Sequence, residues 1–534
     1  METANISLIY PSQETLLKNA QGKDNPDIST EVLDELGLNS VINLRNSRLC
    51  DFFTLDPEVI KYRQEVFRDT ESNPELCSLL TKLNPLLSDI SEIRKLGEDT
   101  AQNDGYLYSI TEVELYISCM ELLAKGLYPM RDKLKSRAFV ALADRVKQLT
   151  ESDYYKDLNV RLKELTSRVR EVKSVTIGVN LDGRLRPENA GVLSVNNEYF
   201  KSGELLQKIL RLDFKNDEYT CIASLIPFDK SQSENQQTAL TYAFNNALNQ
   251  VFKSSMRSWK KVVQTYVLEN ADFLIKLMPE IELVVKGTEL IQKLRATGNA
   301  LCYPKIYPMS EKRFSVHGIY NPVTATKTGA KMVENDFVFD EKGTFYVLTG
   351  PNRGGKSVIT CAVGLTFALA QLGLCVPARD AEISPVDAIL IHFPTGSEDT
   401  VTKGRLGEEC ARLDEIFGKV DEYSLVLLDE TLSSTGSFEG AYIAAEVLSG
   451  FSMSRCRGIF STHIHEISSM IDGINEKCRA DGGAGIDTLV AGMDGKERSF
   501  KITRAKPDGK SYARDIADKY GISLEHILKR IGKK

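Results

Sequence analysis

The segment Phe345-Tyr-Val-Leu-Thr-Gly-Pro-Asn-Arg-Gly-Gly-Lys-Ser357 constrains the fold more than any other part of the chain. Phe345 to Thr349 is a short apolar run of the kind that forms a buried parallel strand. Gly350 to Ser357 matches G-x-x-x-x-G-K-[ST], and Val358 to Leu372 is a helix-forming stretch without proline. A strand that passes through glycines into a helix turns successive backbone N–H groups toward one point. The free amides and positive dipole end of the helix favour a phosphate there. Gly350, Pro351, Asn352, Arg353, Gly354, Gly355, Lys356 and Ser357 are therefore the expected ATP-binding residues. Lys356 adds a point charge, and the Ser357 hydroxyl is placed to ligate Mg²⁺.

A glycine-rich turn with a stray lysine would match the same letters, but a second motif argues against coincidence. Ser424-Leu-Val-Leu-Leu-Asp-Glu430 is an apolar strand ending in two carboxylates, 73 positions after Lys356. In a nucleotide site Asp429 holds Mg²⁺ through its shell, and Glu430 polarises the attacking water. ATP and Mg²⁺ are the expected cofactors.

At 534 residues the chain exceeds the size of one hydrophobic core, so two or more domains are expected. A net charge of −7 gives no global attraction to a polyanion, so contacts to nucleic acid must come from local basic faces. The ten cysteines are scattered singly, without CxxC pairs or a metal-ligand spacing involving histidine. That pattern suits reduced thiols in a cytoplasm. With no apolar run of membrane-spanning length and no signal-peptide order at the N-terminus, a soluble cytoplasmic protein without a membrane partner is expected.

Residues 1–45 read as a mixed N-terminal segment, with a turn at Asp24-Asn-Pro-Asp-Ile-Ser-Thr30 before a helix start. From Arg48 the signal is helical. Leu76, Leu79, Leu80 and Leu83, then Leu86, Leu87 and Ile90 beyond Pro85, recur at three-to-four spacing. Ser109 and Glu112 form a capping-box pattern opening a long helical segment that carries on past Pro129 to Leu149. Val175, Ile177 and Val179 alternate, Val192, Leu193 and Val195 follow beyond a turn, and Tyr219 to Phe228 reads as another strand. A small β insert near 173–230 follows. Helix returns from Gln236 to Arg295, and Thr297 to Pro308 is the expected boundary. The expected layout is a multidomain chain: segment 1–45, a mainly α-helical region over 46–300 with the β insert, and an α/β P-loop domain over 301–534. Two basic stretches stand out: Arg131, Lys133, Lys135 and Arg137, and Lys253, Arg257, Lys260 and Lys261. Each reads either as a solvated helix face or as a phosphate-contacting surface.

Beyond the phosphate loop come Gln371-Leu-Gly373, Val376-Pro-Ala378, Leu427-Leu-Asp-Glu430, Thr435, Gly440 and Thr462-His463, with Asn335-Asp336 before the loop and Lys510-Ser-Tyr512 near the end. In this order over some 200 residues they resemble the ATPase domain of the MutS family of DNA mismatch repair ATPases. Ser47-Arg-Leu-Cys-Asp-Phe-Phe53 and the leucine-rich helices are similar to its core and lever domains, and Gly178-Val-Asn-Leu-Asp182 to its shorter branch. The resemblance implies an ABC-type ATPase domain behind the levers, and His463 as the sensor of the γ-phosphate. It implies a homodimer whose composite site takes contacts in trans from Gly404, Arg405 and Gly407 and from Ser433, Ser434 and Thr435. Gly404-Arg-Leu-Gly-Glu-Glu409 departs from the family's Ser-Thr-Phe motif, Ser433-Ser434 from its Gly-Arg-Gly turn, and Arg353 from its loop methionine. Met332 stands where a phenylalanine often stacks on adenine. No room is expected for a mismatch-wedging N-terminal domain or for an Smr-type nuclease domain.

The function this implies is an ATP-switched, DNA-binding dimer, nucleoid-associated when bound. It would act in mismatch repair or on branched or otherwise distorted duplex, with both basic stretches touching DNA. Two other classes compete. One is the motor subunit of a transporter, against which the absence of LSGGQ counts; the other is a scaffold that uses ATP only to dimerise.

Overall fold

The computed structural model describes residues 6–99, 105–171, 173–181, 183–184, 187–199, 201–202, 220–221, 272–393, 404–434, 436–494, 497–506, 521–522 and 524–531. The chain divides into two compact units. One comprises Met1–Ile6, Ser78–Leu134 and Val140–Met278; the other comprises Ser7–Cys77, Lys135–Phe139 and Pro279–Lys534. Residues 7–77 and 279–300 thus pack with the phosphate-loop half, although the sequence placed all of them in the N-terminal segment or the helical region.

The first unit is built on long helices. The helix Pro74–Asp99 runs through Pro85 without ending, and the leucine stripe on both sides of it is buried at Leu79, Leu83, Leu87 and Ile90, with Leu86 half-buried. Gly105–Leu127 lies against it closely enough that a Cβ on Gly126 would stand 2.6 Å from Leu79 Cδ2. This helix begins four residues before Ser109, so Ser109 does not stand at its N-cap position, and Arg94 takes the Glu112 carboxylate.

Nor does the helix continue past Pro129. Tyr128–Lys133 tightens into a 3₁₀ turn, Leu134 is extended with ψ 130°, and Arg137–Glu151 starts anew. Proline cannot donate to the ladder. The Asp69 carboxylate then takes the freed amides of Lys135 (3.0 Å) and Ser136 (2.7 Å). Asp153–Glu171 leads into strands β1 (Ser174–Leu181) and β2 (Pro187–Asn196). They pair antiparallel, with Val175 opposite Val195 and Ile177 opposite Val192, as their alternation predicts. Two short strands, β3 (Lys201–Ser202) and β4 (Thr220–Cys221), pair in parallel. Most of the expected helix from 236 to 295 lies outside the described residues, which resume as helix at 272.

The second unit holds two sheets. The smaller has the order β5–β9–β6–β7, from Lys305–Ile306, Asp380–Ile383, Phe314–Ile319 and Asn335–Phe339. The larger has the order β10–β11–β12–β8–β13–β14, from Ile389–His392, Leu425–Asp429, Arg457–Ser461, Phe345–Thr349, Ile486–Asp494 and Glu497–Arg504. Its first five strands are parallel, and β14 turns back antiparallel on β13. The three central strands β11, β12 and β8 are buried along their whole length, which explains their continuous apolar sequences. Helices Ser437–Ser454 and Ile467–Ala480 cover one face, with Phe451 stacked between Phe345 (5.1 Å) and Phe417 (4.5 Å). The helix Lys356–Gln371 is buried on nearly every side. At its end, Gln371 is fully buried and grips Val386, donating to its carbonyl (3.0 Å) and accepting from its amide (3.1 Å). Among the described residues no helix is long and apolar enough to cross a membrane.

Glu280 ties the start of the chain to this unit. Its buried carboxylate accepts from Ser7 Oγ (2.9 Å) and the Leu8 amide (2.6 Å). Burial, opposed by these bonds and by Arg63, pushes its carboxyl up to about 7. A folded-state value above the unfolded one contributes stability that is complete below the ordinary carboxylate range and is lost as pH rises through about 7. We therefore predict that Glu280→Gln gains relative to wild type between pH 5 and pH 8, by on the order of 3 kcal/mol. Urea unfolding at both pH values checks this, and parallel pH profiles for the two proteins would refute it.

Candidate nucleotide site

The carboxyl ends of β8, β12 and β11 lie side by side, and residues with polar side chains end all three: Thr349, Ser461 and Asp429. Register fixes this, because Ser461 of β12 stands opposite Asp429 on one side and Leu348 on the other. In a parallel α/β sheet this edge is where ligands bind. The loop after β8 crosses it with Gly350 at φ 137°, Arg353 at 61° and Gly355 at 95°. Only glycine fits the first of these places, since a Cβ on Gly350 would stand 2.7 Å from Ala491 Cβ and 3.0 Å from its nitrogen. A Cβ on Gly354 would come 2.9 Å from the Pro351 carbonyl. Gly355 is the N-cap of Lys356–Gln371 without any side-chain cap, so that helix presents its first amides uncapped to the loop.

Lys356 is 5% exposed, and its Nζ donates to the carbonyls of Gly350 (3.2 Å) and Pro351 (3.4 Å). Burial lowers its pKa, and the carboxylates of Glu430 and Asp429 oppose that shift. The expected lysine and acidic pair therefore meet across their 73-residue separation. Asp429 is buried, and its Oδ1 has no hydrogen-bond partner. A buried carboxylate oxygen left bare is costly. The hydration shell of a divalent cation would satisfy it, and Ser357 stands exposed on the first helical turn, lining a cleft with Lys356 and Glu430. These residues fit a phosphate–Mg²⁺ site.

Glu430 leaves β11 in the left-handed region at φ 52°, its amide held by the Ser461 carbonyl at 2.8 Å. That conformation is unfavourable for a side chain with a Cβ. Its Oε1 lies 2.7 Å from His463 Nε2, beyond the end of β12. An Nε2–H donates to the carboxylate in this arrangement and holds one of its oxygens. His465 is exposed.

The cleft encloses about 450 Å³. Besides the loop residues and Glu430, Asn321, Met332, Asn335 and Phe500 line it. Met332 is where the resemblance put the base. Phe500, on β14 at φ 54° and 47% exposed, escaped the sequence reading. Asn335 places it, donating to the Phe500 carbonyl (3.2 Å) and accepting from the Ile502 amide (2.8 Å). The only sequence signal was an aromatic among polar neighbours in Glu497-Arg-Ser-Phe-Lys501.

Gly404, Arg405 and Gly407 are exposed on the first turn of Gly404–Phe417. This helix meets the turn after Glu430 through Ser434 Oγ, which donates to Glu409 Oε2 at 3.0 Å. Ser433 and Ser434 are exposed, and Thr435 lies outside the described residues. Next to them Phe438 and Tyr442, one turn apart, are 86% and 65% exposed.

The first basic stretch is partly neutralised. Arg131 bonds Asp144 (2.8 Å), and Arg137 bonds Glu65 (2.9 Å) and covers the Tyr62 ring. Lys133 and Lys135 are exposed and form no ion pair among the described residues. The stretch occupies a 3₁₀ turn and the start of a new helix, not the middle of a long one, and Lys135–Phe139 belongs to the unit that holds the cleft. Lys253, Arg257, Lys260, Lys261 and Lys510-Ser-Tyr512 lie outside the described residues.

The second unit is thus a parallel α/β domain with a glycine loop between a central strand and its helix, and two carboxylates facing the loop lysine. Family models agree with this class. MutS domain V matches residues 346–481, and the MutS2 N-terminal domain matches residues 55–297. Among curated relatives, the DNA mismatch repair protein MutS of Petrotoga mobilis is 24% identical over 96% of this chain and 65% of its own length. That of Thermotoga maritima is 26% identical over 77% of this chain and 47% of its own. The DNA mismatch repair protein MSH2 of Saccharomyces cerevisiae is 33% identical over 31% of this chain and 18% of its own. The chain belongs to the MutS family. It spans less than two thirds of the length of these relatives.

Proposed function

We propose that this chain is a DNA-binding ATPase that works as a homodimer, in mismatch repair or on branched or otherwise distorted duplex. The observation that carries the ATPase reading is the meeting of Lys356, Asp429, Glu430 and His463 at one sheet edge. The names of the relatives support the repair role. A cytoplasmic, nucleoid-associated location follows from that reading.

In this mechanism the amides of Gly354 to Ser357 and the Lys356 ammonium receive the β- and γ-phosphates of ATP, which Lys356 reaches by leaving the loop carbonyls. Asp429 and Ser357 would hold Mg²⁺, which when bound screens the phosphate charge. Glu430 orients the attacking water, while His463 fixes its other oxygen and stands ready to report the γ-phosphate. Phe500 and Met332 offer apolar surface to the base. Gly404, Arg405, Gly407, Ser433 and Ser434, with Thr435 beside them, face the second protomer. The exposed Phe438 and Tyr442 supply apolar area for that contact.

Glu430→Gln should retain ATP binding and lose roughly 10²-fold or more in turnover, the scale of a lost general base. With ATP present the same variant should accumulate as a dimer in light scattering. Near wild-type hydrolysis would exclude Glu430 from the chemistry, and a strict monomer would remove the composite site.

The paired state of Arg131 and Arg137 narrows the DNA proposal to Lys133 and Lys135 within the first stretch, with Lys253, Arg257, Lys260 and Lys261 as the second. Lys133→Gln combined with Lys135→Gln should weaken binding to homoduplex, mismatch and four-way junction about equally, because phosphate contacts position without specifying. On duplex, the salt slope should flatten by up to about 0.9 for each phosphate that is no longer neutralised. Unchanged affinity and slope would make this stretch a solvated surface.

A further inference from the structure

One cation of the nucleotide cleft has no task in the mechanism above. Arg353 lines the cleft with Lys356, Ser357 and Glu430, and it is exposed. Among the described residues its side chain forms no ion pair and no hydrogen bond. The Gly354 amide donates to the Pro351 carbonyl (3.0 Å), and Arg353 takes the third place of the turn they close, at φ 61°. Glycine or asparagine is usual there, because a Cβ crowds the backbone. The chain thus keeps an unfavourable backbone angle at the tip of the phosphate loop and leaves a guanidinium uncommitted on it. Strain retained beside a ligand edge points to a side chain with a task.

The charges of the cleft define that task. Without Arg353 the phosphate end would set one lysine, Lys356, against the carboxylates of Asp429 and Glu430. Lys331 also lines the cleft, but it adjoins Met332, whose amide is held by Asn299 Oδ1 (2.8 Å), at the end assigned to the base. Glu430, the acid that lines the cleft, bonds His463 rather than Arg353. The uncapped amides at the helix start and Lys356 serve the β-phosphate and one side of the terminal phosphoryl group, which has a further free oxygen to satisfy. A guanidinium offers a planar pair of donors to such oxygens. We propose that Arg353 grips the γ-phosphate from the loop of its own chain, and so makes the cleft distinguish ATP from ADP. This rests on the reading of the cleft as an ATP site.

The test is titration calorimetry of ATP and of ADP, each with Mg²⁺, on the full chain carrying Glu430→Gln, which slows turnover. Adding Arg353→Gly should weaken ATP binding at least about tenfold, the scale of a lost charge-assisted hydrogen bond, and ADP binding by less than about twofold. Arg353→Lys should recover part of the loss, because the charge returns without the planar fork. Glycine suits φ 61° better than arginine does, so the urea midpoint of the Arg353→Gly variant should not fall. An arginine with only a structural role would leave ATP affinity intact in that variant. Equal losses for ATP and ADP, or no loss for either, would overturn the assignment. Lys356→Ala in the same background separates this outcome from failure of the site. If it weakens ATP binding and Arg353→Gly does not, Arg353 alone is misassigned; if neither does, the nucleotide reading itself falls.

Discussion

The cleft depends on how closely β12 sits between β8 and β11. Gly458 makes that possible: a Cβ there would lie 2.2 Å from Phe345 Cε2 and 2.7 Å from the Val426 carbonyl. With no side chain in the way, β12 pairs with both neighbours and the register carries through to Ser461. The phosphate loop and the acidic pair do not touch in sequence or in strand order; β12 stands between them and brings His463 to its own end. One inserted strand therefore sets the distances among Lys356, Asp429, Glu430 and His463. It also sets the other end of the sheet, where the same strand begins with the buried Arg457.

Backbone strain and unsatisfied polar groups occur together at this edge. Glu430 and Leu432 adopt left-handed backbone angles on either side of Thr431. Asp429 Oδ1, Thr431 Oγ1 and Ser461 Oγ are buried without partners. Sites that must accept a charged ligand keep polar groups uncommitted, and packing elsewhere offsets the cost. Here the offset comes from the dry core behind them, in which Phe345, Phe451 and Phe417 stack and Ile467, Ile471 and Ile474 recur at helical spacing.

Local spacing carried most of what was legible in the sequence. The strand before Gly350, the helix after it, the acidic ends of β11 and the hairpin of β1 and β2 all follow from patterns within a dozen residues. What could not be read was set by distant partners. Nothing near Pro129 announces that Asp69 captures the amides of Lys135 and Ser136 and ends the helix. The Arg137–Glu65 pair joins residues 72 positions apart, so a cluster that looked free in sequence is partly neutralised. Ser109 has a capping pattern, yet Glu112 is claimed by Arg94. Phe500 enters the cleft only because Asn335 holds β14 at both neighbouring backbone groups.

The central claim is that Asp429 is left bare to take up a cation together with ATP. The most direct test is the affinity for ATP, measured by titration calorimetry with and without Mg²⁺, for wild type and for Asp429→Asn. The account predicts that Mg²⁺ tightens ATP binding to the wild-type chain, and that this gain is largely lost in Asp429→Asn while metal-free binding through Lys356 persists. An equal gain from Mg²⁺ in both proteins would contradict it.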